Sequence, residues 1–192
     1  VFAHADGCFH LMGCMLSAAS CNKWWIENIL NSENYSGELS INRDLLGRND
    51  VFFAPYLSGE RCPHNDAEVR GAYFGLSHTS TRQDMTLAIL EGVAFGLLDG
   101  LEIARHAGIE PLASALCGGG AKSALWKDII ANIMNIPLTT VETEEGPAFG
   151  AALLAAVGCG EYRNVYDAAA AAVKKTGTSY PDPELAGLYS NK

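Results

Sequence analysis

Apolar side chains recur at helical spacing for longest over residues 81–107, TRQDMTLAILEGVAFGLLDGLEIARHA. This segment is expected to be a helix. Thr81 stands at its N-cap with Asp84 three residues on, and Gly108 is placed to stop it. The middle is apolar nearly all round, so the helix is expected to be buried. Gly92, Gly96 and Gly100 recur every four residues. Glycine in a helix costs up to about 1 kcal/mol against alanine, so the stripe predicts another backbone packed close against it. Glu91 and Asp99 interrupt the apolar surface and should be paired or lie at an edge.

Shorter patterns flank this helix. VFAHA (1–5) reads as a strand followed by an Asp6-Gly7 turn. Residues 11–31 carry Leu16, Ala19, Trp24, Ile26, Ile29 and Leu30 at helical spacing, with a helix start near Ser17. Polar residues 31–50 read as loop. VFFAPYL is extended and ends at Pro55. The Gly-, Pro- and Asn-bearing stretch from Ser58 to Ser77 reads as a long ordered loop or hairpin. After Gly108 the pattern alternates: strand 112–117, helix 123–135, strand 137–142, then a helix over 147–158 opened by Pro147. A last helix is expected near 164–175, followed by a Pro-containing tail, YPDPELAGLY. The order describes an α/β layer in one domain without internal repeats.

Composition narrows the function classes. The 192 residues are 48% hydrophobic and 18% charged, a globular balance. A net charge of −9 argues against non-specific binding of nucleic acid or anionic membrane. An anionic ligand such as ATP then needs backbone N–H groups, a lysine or a metal ion. No apolar run reaches the roughly 18 to 20 residues of a spanning helix. The N-terminus has no basic leader and no initiator Met, and it reads as cut from something longer. Six cysteines form no CxxC pair and no zinc spacing, so they read as thiols of a cytoplasmic protein.

Residues 117–127, CGGGAKSALWK, carry the candidate chemistry. A strand ends, three glycines follow, and a helix begins, the arrangement that brings a ligand against backbone at a helix N-terminus. Phosphate-binding motifs fail on the letters. A Walker A loop requires glycine where Leu116 and Ala121 stand, and GxGxxG requires glycine at Ser123. A ligand-cradling loop and a tight strand-to-helix turn both remain open on these residues alone.

PYLSGERCPHNDAEVRGAYFGL, LAILEGVAFGLLDGLEIARHAG, LCGGGAKSALWKDIIANIMNIPL and EEGPAFGAALLAAVG occur in this order. Together they resemble the FGGY carbohydrate kinases, and within that family the members that phosphorylate xylulose. Gly71 to Glu91 fits the second family signature through Gly71, Tyr73, Gly75, Asp84-Met85 and Ala88 to Glu91. The resemblance spans nearly the whole chain. It implies an actin-like, ribonuclease-H-like α/β fold, with residues 1–192 forming part of the C-terminal, nucleotide-binding domain. The N-terminal, sugar-binding domain and the catalytic aspartate lie outside this sequence, and no catalytic residue is assigned within it.

The implied activity is transfer of the ATP γ-phosphate to a pentulose hydroxyl, D-xylulose to D-xylulose 5-phosphate, with ATP/ADP and Mg²⁺ as cofactors. Ribulose, gluconate or glycerol as substrate, a non-catalytic actin-like nucleotide-binding module, and a structural assembly module are the alternatives. No nucleic acid or membrane partner is expected, and a homodimer is one assembly open to it. By position, Gly118, Gly119, Gly120 and Ala121 resemble the adenosine-binding turn, with Lys122 and Ser123 adding polar contacts. Glu144-Glu145-Gly146 would introduce the helix beside that loop. Arg61 and His64 read as loop residues, Arg70 as a structural ion pair, and Trp24, Trp25 and Trp126 as packing residues. Cys62 stands where members of the family usually carry threonine, and reads as a bland substitution.

Overall fold

The computed structural model describes residues 1–143 and 146–192. Glu144 and Glu145, expected to introduce a helix beside the glycine loop, lie outside the described residues. The chain opens with strand β1 (Phe2–Ala3), shorter than the pattern suggested, paired antiparallel with β2 (Phe9–His10). Gly7, at φ +84°, supplies the turn between them. Helix α1 (Ala18–Lys23) then begins directly after Ser17, as expected, but it does not run on to residue 31. It widens into a π-helix over Trp24–Ile29, where Leu30 N–H donates to Trp25 C=O at 2.9 Å, and Asn31 at φ +55° ends it. In the wider turn Trp24 stacks on Phe53 while Trp25 meets Tyr73 and donates its indole N–H to Thr86 Oγ1 at 2.8 Å. Both tryptophans are packing residues, as the sequence suggested.

The segment expected as loop carries a four-residue helix α2 (Tyr35–Glu38), capped by Asn34, and a 3₁₀ turn over Arg43–Leu45. Strand β3 (Phe52–Ala54) stops before Pro55 and pairs antiparallel with β4 (Ala72–Phe74), in the register Phe53 to Tyr73. Residues 55–71 are therefore the ordered excursion of a hairpin. Helix α3 (Arg82–His106) has the expected reciprocal capping box between Thr81 and Asp84, and Gly108 at φ +83° follows its end. Its buried stretch is Thr86 to Ala94, whereas the second half is only partly covered and Ile103 is half exposed. A Thr81→Ala variant is expected to lose about 1 kcal/mol of stability in urea unfolding. A loss below the error of the measurement would show that the box does not hold the helix start.

The stripe of helical glycines is satisfied in three different ways. A Cβ on Gly92 would collide with the Phe53 carbonyl of β3, so a backbone does pack there. At Gly96 the neighbour is the Met15 side chain, and at Gly100 there is nothing within 4 Å. Close backbone packing is thus a property of Gly92 alone.

Beyond α3, β5 (Ser114–Leu116), α4 (Ala124–Met134) and β6 (Leu138–Val141) form a crossover unit with β5 and β6 parallel. Helix α5 (Gly146–Gly158) and α6 (Val165–Ala172) follow. The expected final helix stops at Ala172. Residues Lys175–Ser179 instead form β7, antiparallel to the free edge of β6. The KTGTS stretch has no alternating apolar face, so periodicity could not reveal it. Hydroxyl contacts hold it, Thr139 to Thr178 at 3.3 Å and Thr140 to Thr176 at 3.0 Å. The Pro-containing tail is a helix, α7 (Pro183–Ser190). Asp182 accepts from the N–H groups of Glu184 and Leu185, and Pro183 occupies the first turn, where its missing N–H costs nothing.

One core joins α1, the π-helix, β3, α3 and α4 through Trp25, Ile26, Phe53, Leu87, Leu90, Trp126 and Ile129. Among the described residues no helix is long and apolar enough to cross a membrane.

Candidate functional site

Strand β5 delivers the glycine loop at its carboxyl end. Gly118 sits at φ +83°, ψ −173°, a backbone conformation closed to residues with a side chain. Gly119–Lys122 then make one 3₁₀ turn, with Ala121 N–H donating to Gly118 C=O at 3.1 Å. The Ser123 hydroxyl accepts from Trp126 N–H at 3.2 Å, so it caps α4. Trp126 anchors the loop from below. Its indole N–H donates to Leu90 C=O at 3.0 Å, and its ring lies 3.3 Å from where a Gly120 Cβ would stand.

The three glycines therefore have separate reasons. Gly118 is required by its dihedral angles, and Gly120 is favoured by the ring of Trp126, which would have to give by a few tenths of an ångström for a Cβ. Gly119 has no positive φ, and a Cβ there would meet nothing within 4 Å among the described residues. Among the described residues nothing demands a glycine at 119.

The loop faces a cavity of about 770 Å³. Gly119, Gly120, Lys122 and Ser123 line one side, and α1 and α2 line the other through Ala19, Lys23, Tyr35 and Leu39. Tyr35 is held by donation of its hydroxyl to Glu27 at 2.8 Å, and burial is the first of the causes that raise its pKa. Asn22, on α1, also lines the cavity. It is 4% exposed, and its Oδ1 is buried without a hydrogen-bond partner among the described residues. A buried amide oxygen left unpaired costs about 1 to 3 kcal/mol, and such groups gather where a ligand or water completes the bonding. Of the residues expected at the site, five line the cavity or set its loop, while Ala121 is not in the lining and serves the 3₁₀ turn.

Sequence reasoning missed the opposite wall. Asn22 and Tyr35 lie roughly a hundred residues upstream, and neither belongs to a motif. The only local signal was a polar residue, Asn22, on the core-facing run between Cys21 and Trp25.

The remaining candidates lie elsewhere. His64 is exposed and shares a 2.9 Å contact with the Tyr56 hydroxyl. Arg70 donates to the Ala67 and Val69 carbonyls at 2.8 Å, with Glu68 at 4.0 Å. Exposed Arg61 gives its backbone N–H to Glu60 at 2.6 Å. Asp99 is exposed at an edge, where partial desolvation raises its pKa while nearby His64 opposes the rise. Glu91 is fully paired inside the core, 2.9 Å from both Lys192 Nζ and the Tyr189 hydroxyl. Among the described residues no group of three or more His, Cys, Asp or Glu side chains could hold a metal ion.

Comparison with known proteins places this arrangement. Residues 2–159 match the C-terminal domain of the FGGY family of carbohydrate kinases. A xylulose kinase of Staphylococcus epidermidis is 35% identical over 182 residues, covering 94% of this chain and 37% of the relative. That of Escherichia coli K12 is 38% identical over 151 residues, 78% of this chain and 31% of the relative. In three dimensions a xyloylose kinase from Brucella ovis superposes with a TM-score of 0.83 at 35% identity, covering 94% of this chain and 37% of that one. The chain thus spans about a third of the length of these relatives, and its fold is that of the actin-like sugar kinases. With the family signature, the glycine loop and the superposition in agreement, the chain belongs to the FGGY family of carbohydrate kinases, in the region of its C-terminal domain.

Proposed function

We propose that this chain is the ATP-binding part of a pentulose kinase that phosphorylates D-xylulose to D-xylulose 5-phosphate. The observation that carries the reading is Gly119, a glycine that no contact among the described residues requires, lining a cavity that also contains an amide oxygen unsatisfied among those residues. A flat purine and ribose laid against the loop would occupy the space a side chain at 119 would fill. The relatives named xylulose kinase, at 35% and 38% identity, support the pentulose.

Phosphoryl transfer needs the nucleotide held in line with the accepting hydroxyl, charge stabilisation on the γ-phosphate, and a base for the hydroxyl proton. The residues here fit the first task. Gly118 to Ala121 cradle adenosine. The N-terminus of α4 and Lys122 set a positive potential beside the loop, against a chain of net charge −9. Trp126 keeps the loop rigid. ATP supplies the phosphoryl group, and no ligand of its Mg²⁺ is assigned to this chain. No base is assigned here either, so the chain alone is expected to be inactive. Sugar-dependent ADP release by residues 1–192 would contradict that.

The test is titration with MgATP and MgADP, followed by the fluorescence of Trp126. Saturable binding is expected, and Gly119→Val should weaken it at least about tenfold, the effect of losing roughly 1.4 kcal/mol, with an unchanged circular dichroism spectrum. A folded chain that binds neither nucleotide, or a Gly119→Val variant that binds equally well, would sink the reading of this loop.

A further inference from the structure

Two cysteines 48 positions apart in sequence are brought face to face in this fold. Residues 13–17, the lead into α1, run antiparallel to residues 58–62 of the hairpin excursion. Cys62 N–H donates to Cys14 C=O at 3.1 Å, Leu16 N–H to the Glu60 carboxylate at 3.2 Å, and Ser58 N–H to the Ser17 hydroxyl at 3.1 Å. The backbone bond sets residue 62 beside residue 14, and the two side-chain bonds hold residues 58–60 against residues 16–17. Standard bond lengths then limit the separation of the Cys14 and Cys62 Cα atoms to at most about 7 Å across that hydrogen bond. Disulfides span about 4.4 to 6.8 Å. The Cys62 Sγ lies 3.4 Å from the position of a Gly13 Cβ, beside the residue that precedes Cys14, so closure requires a side-chain rotation of Cys62 or Cys14.

We propose that Cys14 and Cys62 form a redox site, closing reversibly to an intramolecular disulfide when the protein meets hydrogen peroxide. One thiolate attacks the peroxide oxygen, becoming a sulfenic acid as the O–O bond breaks and the leaving hydroxide takes a proton to give water. The second thiol attacks the sulfenic sulfur, forming the S–S bond and expelling the hydroxyl as a second water. The peroxide gains two electrons and the thiol pair loses two. A dithiol reductant reverses the step by exchange.

The other thiols are poorly placed to compete. Cys8, Cys117 and Cys159 are exposed, but among the described residues no hydrogen bond pairs them with a second cysteine. Cys21 is fully buried, and burial, reinforced by the nearby Glu60 charge, pushes its thiol up to about 12. The bond would tie the entry of α1 to the excursion between β3 and β4. Because α1 forms one wall of the cavity, the redox state of the pair would set how freely that wall moves. This site stands on the register of the two segments and does not depend on which ligand the cavity holds.

The test is peroxide treatment of the folded chain, alkylation of remaining thiols, tryptic digestion and mass spectrometry. The expected product is peptide 62–70 joined to peptide 1–23 through Cys14, two hydrogens lighter than the sum and released by dithiothreitol. Cys14→Ser should abolish the link and leave Cys62 without a partner. Oxidation should also raise the unfolding midpoint by roughly 5 to 10 °C, since the bond closes a long loop, and Cys62→Ser should remove that shift. The proposal fails if Cys62 is recovered alkylated, or is linked to Cys8 or Cys21. It fails equally if the link survives Cys14→Ser, or if oxidised and reduced protein unfold at the same temperature.

Discussion

A Lys192→Met variant is expected to lose about 3 to 5 kcal/mol of stability, the cost of leaving one member of a buried ion pair alone. Glu91 sits in the middle of α3 with its side chain 3% exposed, and Lys192, 10% exposed, is its only cationic partner among the described residues. The carboxylate also accepts from the Tyr189 hydroxyl at 2.9 Å and from Gly47 N–H at 3.4 Å. The pair thus fastens the end of α7 and the loop after residue 45 to the central helix. Glu91→Gln combined with Lys192→Met should recover most of the loss, because no charge is then stranded and Tyr189 keeps an acceptor. Urea unfolding of the four proteins completes the cycle. A single variant within 1 kcal/mol of wild type, on the scale of an exposed pair, would show that the pair does not hold α7.

The same residue gives stability a pH dependence of known sign. Burial raises the Glu91 pKa above its ordinary 4.5, while Lys192 and Tyr189 oppose the rise. An acid with a higher pKa folded than unfolded carries more protons in the folded state. Its contribution therefore falls as pH rises from 4.5 to the raised value, and is level above that. Glu91→Gln should remove this component, seen as the difference between wild-type and variant stability across the window. Lys192→Met should extend it upward, since the strongest opposing charge is gone. Parallel curves for wild type and Glu91→Gln would contradict the assignment.

Gly92→Val is the second large effect, with an expected loss of about 3 kcal/mol. A side chain at 92 collides with the Phe53 carbonyl, and a backbone group inside a paired strand has no rotamer by which to step aside. Strand β3 must move away from α3, opening the contact that buries Phe53, Leu90 and Val93. Valine's better helix propensity returns only a few tenths of a kcal/mol. Gly100→Ala is the matched control. Among the described residues nothing lies within 4 Å of its Cβ position, so alanine should stabilise the helix by up to about 1 kcal/mol. Gly96→Ala should fall between them, because the colliding Met15 methyl ends a flexible side chain. Thermal unfolding of the three variants ranks them directly. Equal effects at 92 and 100 would mean that the close approach of β3 does not govern this helix.

Elements bounded by nearby residues differ in this fold from those fixed by distant packing. Helix α3 was legible to its caps, because Thr81, Asp84 and Gly108 act within a few residues of the elements they bound. The order β5, glycine loop, α4, β6 was legible for the same reason, as an apolar run, a break and a helical period. The identity of the site loop was legible as letters, but the separate causes of its three glycines were not. Whether a Cβ meets a tryptophan ring or open space depends on where Trp126 lies in the packed core. Strand β7 escaped because its evidence is an unpaired edge on β6, not a pattern of its own. The wall of the cavity formed by Asn22 and Tyr35, the Glu91–Lys192 pair and the Cys14–Cys62 register all join residues separated by tens of positions. Spacing along the chain encodes which face of a helix is apolar. It does not encode which distant group that face will meet, because that choice is made by the mutual packing of the whole core.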